Sequence, residues 1–291
     1  MKILITGANG QLGSELINIL KSGKCALGEI PDILKNCEIA AFDVSELDIT
    51  NTENVVNTIK TEKPEIVINC AAYTNVDGAQ DDCQTALNVN ATGVENLVKG
   101  CKTVNAKFVH ISTDYVFDGK ATTPYTESDE INPVSVYGKT KALGEKAAAE
   151  YDKAFIVRTA WLYGKTGKNF VKTILKLSSE RENISVVNDQ QGTPTNAEDL
   201  SFNILNLCVS ENFGLYHCTG EGCCTWYDFA CEIVALSKNN CKVNPCTTAE
   251  FKTKAQRPEY SVLENKALKD AQINFMRPWK TSLKDFMKEM P

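Results

Sequence analysis

Between residue 2 and about residue 160, short apolar runs alternate with longer segments of helical period, the pattern of strand, helix, strand in a parallel sheet. The runs Lys2–Thr6, Glu38–Phe42, Glu65–Cys70, Lys107–Ser112 and Ala154–Arg158 are short and mostly apolar, as strands covered on both faces must be. The segments Gln11–Ser22, Thr52–Glu62, Thr85–Asn105 and Val136–Glu150 are predicted as the helices that connect them with right-handed crossovers. This is a doubly wound α/β architecture. Beyond Arg158 the rhythm loosens, and Pro194, Pro245, Pro258 and Pro278 punctuate shorter pieces. The reading is a main domain over residues 1–160 and a smaller C-terminal lobe over 161–291, with some chain returning to the main domain. No internal repeat or low-complexity segment interrupts it.

Composition narrows the partners. Hydrophobic residues at 43% and charged residues at 23% are ordinary for a globular chain of 291 residues. A net charge of -6 argues against nucleic acid, whose affinity for proteins comes mainly from cations on phosphates. No stretch approaches the ~18 to 20 apolar residues of a membrane span, so no membrane role is expected. The start, Met1 to Asn9, lacks a long apolar core and a small-residue cleavage site, which predicts a cytoplasmic protein. Twelve cysteines include no Cys-x-x-Cys pair, and His110 and His217 are the only histidines, so no metal is predicted. Cysteines such as Cys70 and Cys208 sit in apolar stretches and are expected to pack as small hydrophobes. The adjacent Cys223 and Cys224 could bridge only with strain and are expected in a loop.

Chemistry begins directly after the first apolar run. Thr6-Gly7-Ala8-Asn9-Gly10-Gln11-Leu12-Gly13 is a G-x-x-G-x-x-G loop leading into a helical pattern. Glycine permits a tight turn and close backbone approach to a pyrophosphate, and the helix N-terminus offers free N–H groups and partial positive charge. A Rossmann-like dinucleotide site is therefore predicted. Asp43, at the end of the second strand, can accept hydrogen bonds from ribose hydroxyls, and no Arg follows it to pair with a 2′-phosphate. NADH is the expected cofactor, with NADPH as the alternative.

Tyr137 and Lys141 stand at i and i+4, so a helix raises both from one face. A neighbouring ammonium is expected to bring the phenol closer to working pH and make it a better proton donor to an alkoxide. Ser112-Thr113-Asp114-Tyr115 closes an apolar strand, and a hydroxyl at that carboxyl edge can steady a carbonyl oxygen as charge develops. Thr113 is favoured over Ser112 for this task. Glycine loop, hydroxyl strand end and Tyr-Lys helix follow in that order.

These elements resemble the extended short-chain dehydrogenase/reductase superfamily over essentially the whole chain. Gly10-Gln11-Leu12-Gly13, Ala71-Ala72-Tyr73-Thr74 with Val76-Asp77, Ser112 to Gly119, Tyr137 to Lys141 and Arg158-Thr159-Ala160-Trp161 are similar to the dTDP-4-dehydrorhamnose reductases. The resemblance implies reduction of dTDP-4-dehydro-6-deoxy-L-mannose to dTDP-L-rhamnose by a nicotinamide cofactor, hence a nucleotide-sugar substrate. Carried over by position, Tyr137 is the proton donor, Lys141 holds the nicotinamide ribose, and Thr113 with Asp114 contacts the sugar. Trp161 stacks on thymine, Asp48 and Ile49 lie near adenine, and Ala71, Ala72 and Tyr73 line the cofactor groove. Asn90 belongs with the cofactor-binding and ordering residues. Some relatives hold a metal between two subunits through acids matching Glu15, Glu198 and Asp199. Acids in sequence are weak evidence for a metal, since Mg²⁺ takes few direct protein ligands, so none is assigned, and both monomer and homodimer stand.

The same resemblance keeps rivals in view. Dehydratases of this fold carry Glu after the acid that follows the Thr, whereas Asp114 is followed here by Tyr115. Epimerases share the Tyr-Lys pair, although the Trp161 segment and Gln190-Gln191-Gly192-Thr193-Pro194-Thr195 look more like the reductases. A non-catalytic protein resembling the regulatory β subunit of methionine adenosyltransferase would bind the cofactor and go no further.

Overall fold

The computed structural model describes residues 1–290. The first half runs β1 (Lys2–Thr6), α1 (Gln11–Ser22), β2 (Glu38–Phe42), α2 (Thr52–Glu62), β3 (Ile66–Asn69), α3 (Gly93–Val104), β4 (Lys107–Thr113), α4 (Val136–Ala149) and β5 (Ala154–Thr159). The second half adds α5 (Phe170–Glu180), β6 (Asn183–Val187), α6 (Ala197–Cys208), β7 (Gly214–His217), α7 (Trp226–Ser237), β8 (Lys242–Cys246) and α8 (Trp279–Glu289). Six strands form one sheet in the order β7-β5-β4-β3-β1-β2, and every neighbouring pair is parallel.

Alternation along each strand explains why both sheet faces are covered. Ile3 and Ile5 of β1 join Leu12 and Leu16 of α1 and Leu200 and Leu205 of α6 in one core. Leu4, between them, joins Val67, Phe108 and Ile156 on the other face, against Val55 of α2 and Val94 and Leu97 of α3. A separate core holds Val171 and Ile174 of α5, Ile184 and Val186 of β6, Phe229 and Ile233 of α7, and Trp279 and Leu283 of α8. There β6 and β8 pair in parallel. The chain beyond Arg158 thus builds the separate core and also returns to the main domain, where α6 packs on the sheet and β7 forms its edge.

The expected elements depart from the observed ones where tertiary contacts intervene. The helix expected over Thr85–Asn105 is divided into Cys83–Leu87, a wide π-type turn over Asn88–Thr92, and α3. The widened turn carries Asn90, whose side chain bonds both backbone groups of Tyr73 and the Thr140 hydroxyl, and such insertions often mark functional positions. Strand β7 escaped notice because it has four residues, begins at Gly214 and ends at the buried His217. Among the described residues no helix is long and apolar enough to cross a membrane. All twelve cysteines are free, with Cys208 in the core and Cys224 buried beside an exposed Cys223.

One ion pair is buried where α4 meets β5. Glu145 accepts from Arg158 Nε at 2.9 Å and Nη2 at 2.7 Å, and from the Ser112 hydroxyl at 2.5 Å. Its members are 7% and 4% exposed. Removing one partner strands a buried charge, whereas replacing both with apolar residues removes the desolvation problem. Arg158→Met is therefore expected to destabilise the chain by about 3–5 kcal/mol, and Glu145→Leu with Arg158→Met to recover much of that loss in denaturant titrations. A double variant at least as unstable as the sum of the singles would contradict this.

Candidate active site

Parallel strands bring their carboxyl ends to one edge of the sheet. Strand order reverses between β1 and β3, the position where open α/β sheets leave a crevice for ligands. A cavity of about 790 Å³ opens there. It is lined by Gly7, Gly10, Gln11, Leu12, Gly13, Asp43, Asp48, Ile49, Ala71, Ala72 and Tyr73 on one side and by Thr113, Asp114, Tyr137, Lys141 and Trp161 on the other. An apolar hollow of about 890 Å³ lies where α4 meets Ala154 and Ile156 of β5 and Leu215 of β7, and includes none of these groups.

The glycine loop is tailored to backbone approach. Gly7 sits at φ +64°, and a Cβ there would overlap the backbone of Cys70 and Ala71. Gly10 begins α1 in an extended conformation with no side chain capping the first turn, which leaves N–H groups for an anion. Asp43 accepts from the Asn9 N–H at 2.9 Å and the Val44 N–H at 2.8 Å, tying the end of β2 to the loop. Asp48 accepts from the Thr50 N–H and hydroxyl. The residues fit a dinucleotide.

Asn90, expected among the cofactor-binding and ordering residues, is 1% exposed and stands behind the cavity wall, not in its lining. Its amide clamps the Tyr73 backbone and reaches Thr140 of α4, so any effect on a ligand passes through the Ala71–Tyr73 segment.

Helix α4 starts at a Ser135 cap that accepts from the Gly138 N–H at 3.1 Å. Gly138 and Gly144 let it press against its neighbours, since a Cβ would meet the Tyr115 carbonyl or the Asn90 carbonyl. Tyr137, Lys141 and Glu145 follow at i, i+4 and i+8 along its inner face. Burial pushes the Tyr137 phenol above its ordinary range, a hydrogen bond with Thr113 pulls the other way, and Asp114 and Tyr115 add to the rise. Burial also pushes the Lys141 ammonium down to about 8, against the field of Glu145 and Cys70. Its Nζ donates to the Ile111 carbonyl at 2.5 Å. The expected lowering of the phenol by Lys141 is therefore not what the structure shows: desolvation dominates Tyr137.

At the end of β4, Ser112 is committed to Glu145, while the Thr113 hydroxyl donates to Asp114 Oδ1 at 2.9 Å and meets Tyr137. Burial pushes Asp114 up to about 6, opposed by hydrogen bonds with Ser261 and Thr113, and its Oδ2 has no partner. Below the site, His110 is buried and held well under its ordinary range by burial and by Lys141. Trp161 is half-buried at φ +46°.

Among the polar and aromatic lining residues, sequence reasoning did not single out Lys168, Trp226 and Arg257. Arg257 donates to the Tyr115 hydroxyl at 2.9 Å and to Asp77 at 3.0 Å, and Tyr115 meets the Tyr137 ring edge-on at 5.5 Å. Arg257 lies 142 residues from Tyr115, and no local spacing could have signalled the contact.

Of the acids matched to a bridging metal, Asp199 and Glu198 have partners within the chain, Glu198 accepting from the Ala26 N–H at 3.1 Å. Asp199 is saturated by Arg277 at 2.6 and 3.1 Å and by Ser282 at 2.5 Å. Glu15, 5% exposed, has its carboxyl raised by burial, with Lys165 opposing and Glu198 adding to the rise. Among the described residues no cluster of three His, Cys, Asp or Glu side chains could hold a metal ion.

The whole chain, residues 1–291, matches the model of the RmlD substrate binding domain. A dTDP-4-dehydrorhamnose reductase from Clostridium acetobutylicum ATCC 824 superposes with a TM-score of 0.93 at 48% identity, covering 99% of both chains. The dTDP-4-dehydrorhamnose reductase of Bacillus anthracis str. Ames, solved in complex with NADP, superposes with a TM-score of 0.93 at 40% identity and the same coverage. The dTDP-4-dehydrorhamnose reductase of Aggregatibacter actinomycetemcomitans is 40% identical over 297 aligned positions, 98% of this chain and 97% of that protein. With its glycine loop, strand-end hydroxyl and Tyr-Lys helix around one crevice, the chain belongs to the RmlD substrate binding domain family.

Proposed function

We propose that this protein reduces the C4 keto group of dTDP-4-dehydro-6-deoxy-L-mannose to give dTDP-L-rhamnose, using a reduced nicotinamide dinucleotide. The observation that carries the proposal is the meeting of Thr113, Tyr137 and Lys141 in the cavity that the glycine loop opens. The names of the relatives supply the substrate. When bound, the dinucleotide supplies a hydride to C4. Gly7, Gly10, Gln11, Leu12 and Gly13 cradle its pyrophosphate, Asp43 accepts from the adenosine ribose, Asp48 and Ile49 border adenine, and Ala71, Ala72 and Tyr73 line the groove. Residues 1–160 carry most of this site, and the chain from 161 onward supplies most of the substrate side.

Reduction needs a phenol that is still protonated when the alkoxide forms. Burial keeps Tyr137 in that form, so it can deliver its proton to the C4 oxygen. The Thr113 hydroxyl, turning its single proton from Asp114 to the substrate, steadies the same oxygen, and the Lys141 ammonium places positive charge beneath it and holds the nicotinamide ribose. Asp114 meets sugar hydroxyls, Trp161 meets the base, and Arg257 and Lys168 are the further cations lining the cavity for a diphosphate. Tyr115 bears a phenol bound to Arg257 and supplies no carboxylate for dehydration.

Tyr137→Phe is expected to lower kcat by ~10²–10⁴ while dinucleotide affinity, read by fluorescence titration, stays nearly unchanged; normal turnover in that variant would sink the proton-donor assignment. Lys141 carries its charge below a pKa of about 8, so kcat/KM should fall as pH rises through that value, and an alkaline limb far above it would contradict the role given to the ammonium. Among lining residues the cations are Lys141, Lys168 and Arg257, and Asp43 stands where a 2′-phosphate would arrive. NADH should therefore give a higher kcat/KM than NADPH, and Asp43→Ala should narrow the gap; a preference for NADPH in the parent would overturn this ordering.

A further inference from the structure

The indoles of Trp161 and Trp226 lie face to face, with ring centroids 3.5 Å apart and 8° between planes. Two electron-rich rings meet least favourably this way, because their quadrupoles repel; offset or edge-to-face pairs at ~4.5–7 Å are preferred. Such a contact needs holders. Trp161 stands in a left-handed backbone conformation that bulky residues rarely adopt, at φ +46°, and its carbonyl accepts from the Thr195 N–H at 3.2 Å. Gly192 packs on the Nε1–Cε2–Cζ2 edge of its ring, where a Cβ would overlap the indole. Trp226 opens α7 within a Thr225–Asp228 capping box and leans on Phe170, 4.5 Å away and tilted by 51°. Both indoles are half-buried and line the cavity.

We propose that this pair is a closed slot for a pyrimidine base, which enters between the two indoles and makes Trp226 the second wall of the base site. The inference rests on the nucleotide-sugar reading and adds a residue and a geometry to it. An electron-poor pyrimidine between two indoles replaces one repulsive contact with two attractive ones. Trp226 is the wall that moves: Trp161 is pinned by Gly192 and its own backbone, whereas Trp226 is held by tilted aromatic packing. The slot also lies within reach of the chemistry. Trp161 follows β5, whose Thr159 is paired with Thr113, so a base between the indoles sits on the same sheet edge as Tyr137.

Stacked indoles couple their transitions, and the unliganded protein should show an exciton couplet in far-ultraviolet circular dichroism. The chain has one further tryptophan, Trp279, buried at 5% exposure and edge-on to Phe229, which does not contribute to it. Saturating thymidine diphosphate is expected to abolish the couplet. Trp226→Ala should lose the couplet without ligand and bind thymidine diphosphate about ten-fold or more weakly, while Trp226→Phe retains most of the affinity and NADH affinity holds in both. A couplet undiminished at saturation, or a folded Trp226→Ala that binds as tightly as the parent, would overturn the slot while leaving the nucleotide-sugar reading intact. Failure of the parent to bind thymidine diphosphate at all would remove that reading and the slot together.

Discussion

Every strand of the main sheet runs in the same direction, and that constraint puts all the chemistry on one edge. A parallel sheet must be covered on both faces, so Ile3 and Ile5 are buried on one side of β1 and Leu4 on the other. With both faces filled, the carboxyl edge is where backbone groups and polar side chains can still meet a ligand. The order reversal between β1 and β3 opens that edge, and Gly7 keeps the opening narrow by packing its backbone against Ala71.

Helix α4 joins this edge to the interior through a ladder of charge. Tyr137 reaches the cavity, Lys141 lies beneath it, and Glu145 is one turn deeper, locked to Arg158. Burial alone would discharge Lys141, and the Glu145 carboxylate opposes that. The same desolvation that weakens the lysine keeps the tyrosine protonated. One environment therefore moves two groups in opposite directions: the phenol stays protonated for the new alkoxide, while the ammonium depends on Glu145 to keep its charge.

Local features were legible in the sequence and remote ones were not. The glycine loop announced itself because turn, helix start and strand end are adjacent in the chain, and Tyr137 and Lys141 because four residues make one helical turn. The main strands showed as apolar runs, although Thr113 extends β4 and Thr159 extends β5 beyond the apolar stretch. Asn90 was noticed, but its task of clamping Tyr73 depends on a widened turn that periodicity hides. Arg257 and Trp226 were missed because their partners, Tyr115 and Trp161, come from distant parts of the chain. Acidity at Glu15, Glu198 and Asp199 was visible, while the Arg277 and Ser282 that occupy Asp199 were not.

Hydride transfer to C4 is best tested by following the hydrogen itself. NADH carrying deuterium at the transferred position would be supplied with dTDP-4-dehydro-6-deoxy-L-mannose, and the sugar nucleotide recovered for nuclear magnetic resonance. Stoichiometric deuterium at C4 of a dTDP-L-rhamnose product, with equal loss of NADH, is the expected result. An unlabelled sugar with the dinucleotide bound but unconsumed would contradict it and would identify a protein that holds this cofactor without spending it.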